Sequence, residues 1–198
     1  MGLETLEAGL EGLVDSMLSP GRARHSRAVA ALSGHLAGLH GLEPLRARVA
    51  GLAHDICKEM DGAEQEALAR LYSARKDRPL PSSGLIGRAI VHGPAAAGHL
   101  LTVHGLEDED ILEAVALHTI GDRAMGDLAR IVYAADKIEP GRRHVTEDFR
   151  RRCELLPPRE LFAEVLESTM DWMRAQGRPV AAETLALHES LRATGSRA

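Results

Sequence analysis

Apolar residues recur at helical spacing along almost the whole chain. The first eighteen residues carry leucine or valine three or four positions apart, at Leu3, Leu6, Leu10, Leu13, Val14 and Leu18. This period predicts an amphipathic helix, because residues three and four apart share one face of an α-helix. Ser19-Pro20-Gly21 then interrupts the pattern and offers a cap with proline in the first turn of the next helix.

The same period continues to the C-terminal end of the sequence. We predict further helices over residues 22–39, 44–57, 63–74, 93–104, 108–118, 125–138, 158–176 and 181–193. The stretch KDRPLPSSG, residues 76–84, is predicted to be a loop from its Pro, Ser and Gly content. No period-two run is long enough for a strand. The prediction is an all-α bundle forming one domain over residues 1–198, with core motifs in 22–143 and C-terminal helices in 158–193 packed on it.

The composition is that of a globular protein with an aliphatic core. The chain of 198 residues is 44% hydrophobic and 27% charged, and only 3% of it is aromatic. We interpret Phe162 and Trp172 as core residues, with a nucleobase contact in the C-terminal region as the alternative. The formal net charge of −5 argues against a nucleic acid as ligand, since phosphate backbones bind basic surfaces. A local basic pocket for a small anion stays compatible with it.

The cysteine content and the N-terminal segment indicate where in the cell the protein is located. Cys57 and Cys153 are too few and too far apart for a disulfide framework or a cysteine zinc site. The segment MGLETLEAGLEGLV has acidic residues where a signal peptide has basic ones, and no stretch approaches the ~20 apolar residues of a membrane span. We therefore expect a cytoplasmic protein without membrane or nucleic-acid partners. A homodimer is compatible with the sequence, although no surface patch establishes one.

Several polar residues fall on the apolar stripes of the predicted helices. Over residues 45–58 both sides of the helix are apolar, so we expect His54 and Asp55 to lie inside, with Lys58 one turn after His54 on the same side. His25, His118 and Asp136 share the stripes of their apolar neighbours as well. His92 precedes Gly93-Pro94 at a helix N-terminus, where backbone N–H groups favour anions.

Each of these residues has a structural explanation when taken singly. A core histidine is commonly a satisfied structural group, and Asp136 could pair with an arginine or cap a neighbouring helix. Separate helical regions, however, each deliver an inward His or Asp, and one delivers a His-Asp pair. Convergence on a divalent metal explains all of them together, because imidazoles and carboxylates in a buried bundle form such a shell.

Blocks of sequence around these residues point to a family. They are RHSRAV (24–29), GLAHDICK (51–58), VHGPAAA (91–97), ALHTIGD (116–122) and VYAADKIEPGRR (132–143). In this order they resemble the HD-domain metal-dependent phosphohydrolases, and among these the bacterial symmetrical bis(5'-nucleosyl)-tetraphosphatases of the YqeK type. The resemblance covers essentially the whole chain, including GRPVAAETLALHESL (177–191), where Ala182 stands in place of an expected proline.

The resemblance implies an all-helical HD fold with a metal centre. Its metal ligands would be His25, His54, Asp55 and Asp136, and its metal iron, as one or two ions, with manganese, magnesium or zinc as alternatives. The implied reaction is cleavage of diadenosine tetraphosphate, a dinucleoside polyphosphate, into two ADP molecules. The positions associated with the nucleotide are His25, Asp55, His92, His118, Thr119, Asp136 and Arg142.

Two residues are candidates for direct catalytic roles. Lys58 falls at the HDxxK position common in this superfamily, and with Arg142 it would stabilise negative charge on the departing ADP. Asp55 would align or deprotonate the attacking water. His92 and His118 would either complete a second metal site, with Asp55 as the bridge, or donate to the phosphates.

Two other functions remain open at the level of sequence. The first is a nucleotide phosphohydrolase with the same metal shell that acts on deoxynucleotides or a guanosine alarmone. The second is a regulatory module that binds metal and nucleotide without turnover. The ligand residues are shared by these alternatives, so only the family blocks and the products of the reaction distinguish them.

Overall fold

The described part of the protein is helical throughout. The computed structural model describes residues 2–76 and 90–195, and within these ranges there is no strand. The helices in chain order are α1 (Leu3–Met17), α2 (Pro20–Leu39), α3 (Pro44–Ala53), α4 (Gly62–Lys76), α5 (His92–Val103), α6 (Glu109–Leu117), α7 (Asp127–Ile138), α8 (Glu147–Glu154), α9 (Pro158–Ala175) and α10 (Ala182–Gly195). The predicted all-α class is confirmed.

Helix α3 occupies the centre of the bundle. It contacts α1, α2, α6 and α7, while α5 packs between α4 and α6. Helix α9 packs against α7 and also contacts α8 and α10. The Tyr133 and Phe162 rings join α7 to α9 edge-on, with centroids 4.8 Å apart, an arrangement that contributes about 0.5–1.5 kcal/mol beyond the area it buries. The central position of α3 explains why both of its faces are apolar.

A glycine sets the distance between α2 and α3. A Cβ added to Gly51 would lie 2.6 Å from the Cα of Ala30 and 2.8 Å from its backbone nitrogen. Real side chains do not approach a backbone that closely, so only glycine permits this contact. The close approach brings the His25 ring on α2 to a centroid distance of 5.2 Å from the His54 ring, which follows α3.

The predicted helix over 44–57 is too long, because α3 ends at Ala53. The next residues form tight turns in which Ile56 N–H donates to the Ala53 carbonyl and Lys58 N–H to the Asp55 carbonyl, three residues back. Such i→i+3 bonds tighten the chain relative to an α-helix. As a result Lys58 turns back toward Asp55 instead of continuing the helical face of His54.

Helix α8 was absent from the sequence prediction. Its residues, EDFRRRCE, include one buried side chain, Cys153, and therefore show no apolar stripe. A capping signal was nevertheless present: the Thr146 side chain accepts a hydrogen bond from Phe149 N–H, and Glu147 and Asp148 fill the first turn. Helix termini elsewhere agree with prediction to within a few residues.

The described ranges limit what can be said of the predicted loop and of membrane spans. The predicted loop over residues 76–84 lies outside them, apart from Lys76, which ends α4. Across residues 2–76 and 90–195, none of the helices has both the length and the apolarity that crossing a membrane requires.

Replacing Gly51 by alanine should destabilise the fold. The added methyl group must push α2 away from α3, and overpacking of this kind costs about 1–3 kcal/mol. Gly12→Ala is the matched control, because Gly12 is exposed in α1 and an added Cβ meets nothing within 4 Å. That control should raise the free energy of unfolding by about 0.5–1 kcal/mol. Urea denaturation of both variants measures the difference, and equal stability would contradict the close-packing argument.

Candidate metal centre

The first group of potential ligands joins helices α2, α3 and α7. His25 Nε2 lies 2.9 Å from Asp136 Oδ1, and His54 Nε2 lies 3.9 Å from the same oxygen. One donor atom from each of these three residues lies within 4.8 Å of the other two. Two imidazoles and a carboxylate at these separations form a donor set suited to a divalent transition metal.

His54 tests whether this arrangement fits a metal. Its Nδ1–H donates to the Gly51 carbonyl at 2.7 Å, which fixes the tautomer and leaves the lone pair on Nε2. Burial lowers the pKa of His54, so the ring is neutral. The buried Nε2 has no hydrogen-bond partner among the described residues. A neutral imidazole with a bare, inward-facing nitrogen is the form that binds a metal ion, and the residues therefore fit one.

A second group shares His54 with the first. Asp55 Oδ1 lies 3.1 Å from His92 Nε2 and 3.4 Å from His118 Nε2. His54, Asp55 and His118 again place one donor atom each within 4.8 Å of the others. His118 repeats the geometry of His54, since its Nδ1–H donates to the Val115 carbonyl at 2.7 Å. Burial lowers the pKa of His118 to about 3, which keeps this ring neutral as well.

Helix α5 reaches the second group through another glycine. A Cβ on Gly93 would lie 2.8 Å from the Ala116 carbonyl oxygen and 3.2 Å from His118 Cε1. This contact places His92, the first residue of α5, with its ring centroid 4.9 Å from that of His118. The Thr119 hydroxyl lies 3.0 Å from His118 Nε2 and 3.3 Å from His92 Nε2. Thr119 thus belongs to the same cluster.

Four cationic side chains border the two groups, and the first, Arg22, places its Nη1 3.7 Å from Asp55 Oδ2. Lys58 Nζ donates to Asp55 Oδ1 at 3.0 Å and lies 3.2 Å from His92 Nε2. Arg142 donates through Nη2 to Asp136 Oδ1 at 2.6 Å and through Nε to the Asp136 carbonyl at 2.8 Å. Lys137 donates to Asp136 Oδ2 at 2.5 Å and to the His118 carbonyl at 3.0 Å. The cluster therefore combines inward-facing imidazoles and carboxylates with positively charged side chains at its edge.

Both buried aspartates are ionised. Burial alone would raise the pKa of Asp55, but the imidazoles of His54, His118 and His92 hold that pKa well below its usual range. Burial acts on Asp136 in the same way and is outweighed there by the Lys137 ammonium and the hydrogen bond from His25, so its pKa is also well below normal. Ionised carboxylates are the state in which aspartate binds a cation.

Sequence reasoning missed Glu139. Its carboxylate is 4% exposed, accepts a hydrogen bond from the Gly141 N–H and lies 3.1 Å from His25 Nδ1. A carboxylate behind the far nitrogen of an imidazole fixes the orientation of the ring and raises its basicity. Burial lowers the pKa of His25, but the bonds to Asp136 and Glu139 outweigh burial and raise it. Glu139 precedes Pro140-Gly141, so its sequence context resembles a solvent-exposed helix end.

Lys137 was missed for a similar reason. A lysine between Asp136 and Ile138 near a helix end is usually solvated, and no pattern distinguishes it from a surface residue. In the fold its Nζ lies 4.7 Å from the centre of the Tyr133 ring and against Asp136. Burial lowers the pKa of Lys137 against the opposing effect of Asp136.

Arg150 on α8 fixes the loop that carries Arg142. Its Nε donates to the Ile138 carbonyl at 2.7 Å, and its Nη2 donates to the carbonyls of Arg142 and Val145 at 3.2 and 3.1 Å. Its Nη1 pairs with Glu147 at 3.0 Å. One guanidinium therefore ties the helix missed in the sequence prediction to the turn that presents Glu139 and Arg142.

The structure brings the predicted site residues together in one cluster. They are His25, His54, Asp55, Lys58, His92, His118, Thr119, Asp136 and Arg142. Their assignment as metal ligands, catalytic groups or nucleotide contacts stays a prediction. Cys57, next to this cluster in sequence, is buried, and burial raises the pKa of its thiol to about 12, which makes it inert at neutral pH.

Comparison with known families gives the cluster a context. The profile of the HD domain matches residues 22–141. The chain belongs to the HD domain family. The matched range holds every residue of the cluster except Arg142, which lies one position beyond it. The resemblance inferred from the sequence blocks is thereby confirmed at the level of the family.

Individual relatives of this HD domain chain carry more specific names. A Halalkalibacterium halodurans protein named "Bis(5'-nucleosyl)-tetraphosphatase, symmetrical" is 28% identical over 90% of this chain and 93% of its own length. A Staphylococcus aureus protein with the same name is 33% identical over 66% of this chain and 64% of its own length. A solved structure of a "predicted HD superfamily hydrolase involved in NAD metabolism" from Clostridium acetobutylicum matches with a TM-score of 0.78 at 26% identity, over 94% of this chain and 97% of that one.

Replacing Glu139 by glutamine should weaken metal binding without unfolding the protein. The amide keeps the size of the side chain but removes the charge that orients and polarises His25. Losses of about 10–100-fold in metal affinity are typical for such outer partners. Titration of the metal-free protein with Mn²⁺ or Fe²⁺ measures the change, and Glu160→Gln, at an exposed position of α9, is the control. A metal affinity equal to that of the unmodified protein would contradict a role of Glu139 in the metal centre.

Proposed function

We propose that the chain hydrolyses diadenosine tetraphosphate and related dinucleoside polyphosphates symmetrically, with two ADP molecules as the products. The observation that carries the proposal is the buried His/Asp cluster with the cations Lys58 and Arg142 at its margin. Membership of the HD domain family supports the same reaction, and so do the names of the Halalkalibacterium halodurans and Staphylococcus aureus relatives.

The reaction requires groups that bind phosphate and groups that handle water. A water oxygen forms a bond to phosphorus, the central anhydride bond breaks, and ADP leaves with the electron pair on its terminal oxygen. Lys58 and Arg142 would donate to phosphoryl oxygens and offset the negative charge that grows on this leaving group. Arg142 suits a bidentate grip, whereas Lys58 acts as a compact point charge.

Asp55 has a suitable state for orienting water. Its carboxylate is ionised and 2% exposed, and it faces His92, His118 and Lys58. An ionised carboxylate accepts a hydrogen bond from the attacking water and thereby orients it. His92, His118 and Thr119 border the same side and would contact the phosphates next to it.

The residues that would hold a metal are His25, His54, Asp55 and Asp136. HD domains bind divalent metals, and the bare Nε2 of His54 faces the position expected for one. When bound, such an ion supplies Lewis acidity toward a phosphoryl oxygen. A mixed set of imidazole and carboxylate ligands suits a transition metal better than calcium or magnesium, which favour all-oxygen sites. We propose iron as the metal because the resemblance to the symmetrical tetraphosphatases implies it.

Product chromatography tests the proposed reaction. Diadenosine tetraphosphate incubated with the metal-loaded protein should give two ADP per molecule consumed, because symmetrical cleavage breaks the central anhydride. ATP and AMP in equal amounts would contradict symmetrical cleavage. Parallel incubations with a deoxynucleoside triphosphate and a guanosine tetraphosphate examine the alternative substrates. Binding of the dinucleotide without any phosphate release would instead identify a regulatory module.

Elemental measurement tests the metal assignment. The purified protein should contain iron, and Asp136→Ala should lose the metal and reduce hydrolysis roughly a hundredfold or more, since even outer partners cost up to that much. Asp136→Asn preserves the shape of the side chain but removes the negative charge with which Lys137 and Arg142 pair. His35→Ala is the control, because His35 is exposed on α2. Full iron content in both Asp136 variants would refute the ligand assignment.

A further inference from the structure

An exposed aromatic stack lies outside the HD cluster. The His144 and Trp172 rings are stacked with centroids 4.4 Å apart and an interplanar angle of 22°. The Arg178 guanidinium carbon lies 5.5 Å from the centre of the Trp172 ring. His144 is exposed and Trp172 is half-buried, whereas Phe162 is 1% exposed in the core. The interpretation of both aromatic residues as core is therefore right for Phe162 and wrong for Trp172.

The stack is close to the phosphate-binding margin. His144 follows Arg142 by two residues, and two residues span at most about 7 Å of chain. Arg142 in turn contacts Asp136 and lies 3.2 Å from His25 Nε2. The Arg150 guanidinium anchors the carbonyls on either side of His144, those of Arg142 and Val145. The backbone that carries His144 is therefore anchored beside the predicted phosphate site.

The chemistry of the stack favours a flat, anionic ligand. Burial and the neighbouring Arg142 and Arg150 guanidinium groups lower the pKa of His144, so its ring is neutral near pH 7. Neutral aromatic faces and guanidinium planes are the groups on which nucleobases stack. The core pair Tyr133–Phe162 is edge-on at 81°, as in ordinary packing, whereas the exposed pair is face to face. The Arg178 guanidinium faces the Trp172 ring, and the Arg142 and Arg150 guanidinium groups lie near His144.

We propose that His144, Trp172 and Arg178 form a platform on which one nucleobase of a bound nucleotide stacks, with its phosphates directed past Arg142 to the HD cluster. The inference rests on the proposed function for the location of the phosphates. The ligand of the platform is a nucleoside 5'-diphosphate or a nucleotide with a longer phosphate chain. Every base has a π-face, so the platform would contribute affinity for nucleotides more than discrimination among bases.

Trp172 supplies the readout, because it is the only tryptophan in the chain. Added to the metal-loaded full-length protein, ADP should change the Trp172 fluorescence saturably. Inorganic pyrophosphate, which has the phosphates without the base, should leave the emission nearly unchanged while still inhibiting hydrolysis. An emission change of equal size with pyrophosphate would overturn the platform, because the base would then not be the group in contact.

His144→Ala tests the platform by affinity. Stacking contributes about 1–3 kcal/mol per base, so the Kd for ADP and the KM for diadenosine tetraphosphate should rise roughly five- to a hundredfold. The value of kcat should change much less, and inhibition by pyrophosphate should stay the same. Trp172→Phe should retain most of the affinity, and Trp172→Leu should lose it. His35→Ala is the control at an exposed position away from the stack.

The outcomes separate this inference from the proposed function. Normal symmetrical hydrolysis with unchanged KM and ADP affinity in His144→Ala and Trp172→Leu would refute the platform alone. Absence of hydrolysis, together with ADP binding that depends on His144, would refute the proposed function and support the platform. Circular dichroism of each variant identifies any loss of fold, and because His144 is exposed its variant remains decisive if Trp172→Leu does not fold.

Discussion

The buried Nε2 of His54 is the constraint around which the site is organised. The hydrogen bond from His54 Nδ1–H to the Gly51 carbonyl fixes the tautomer of the ring, and no described residue forms a hydrogen bond with Nε2. An unsatisfied buried polar atom costs about 1–3 kcal/mol, and the ionised Asp55 and Asp136 beside it add the cost of desolvation. A divalent cation between them would remove both costs at once. Part of the free energy of binding such a cation would thus be free energy of folding.

Charge near the cluster is arranged in two layers. Inward-facing imidazoles and carboxylates form the inner layer, and Lys58, Lys137 and Arg142 border it with hydrogen bonds to the same aspartates. These cations hold the carboxylates ionised and oriented, and they also supply positive charge that can offset the charge of a polyphosphate. The same side chains therefore serve the protein's stability and the proposed chemistry.

Much of this could be predicted from the sequence, because apolar periodicity is local and the HD blocks are short. The α1 stripe, the inward His25 and Asp136, and the pairing of His54 with Asp55 all follow from spacing. The end of α3 at Ala53 could not be predicted, since LAHDICK contains no helix breaker that would announce the tight turns after it. Glu139 and Lys137 were missed because a charged residue near a helix end has the same sequence signal whether it faces water or a buried partner. Trp172 was misplaced because the size of a side chain predicts burial only on average.

One small residue links helix packing to the chemistry of the site. Gly51 both allows α2 to approach α3 and supplies the carbonyl that selects the His54 tautomer. The distance between the two helices and the orientation of the His54 imidazole are therefore not independent of each other in this protein. A change elsewhere on the α2–α3 seam, at Ala30 for example, would be expressed first as altered metal occupancy, well before the bundle lost its helices. Selection acting on the site would then constrain the packing of this seam as well as the residues of the cluster.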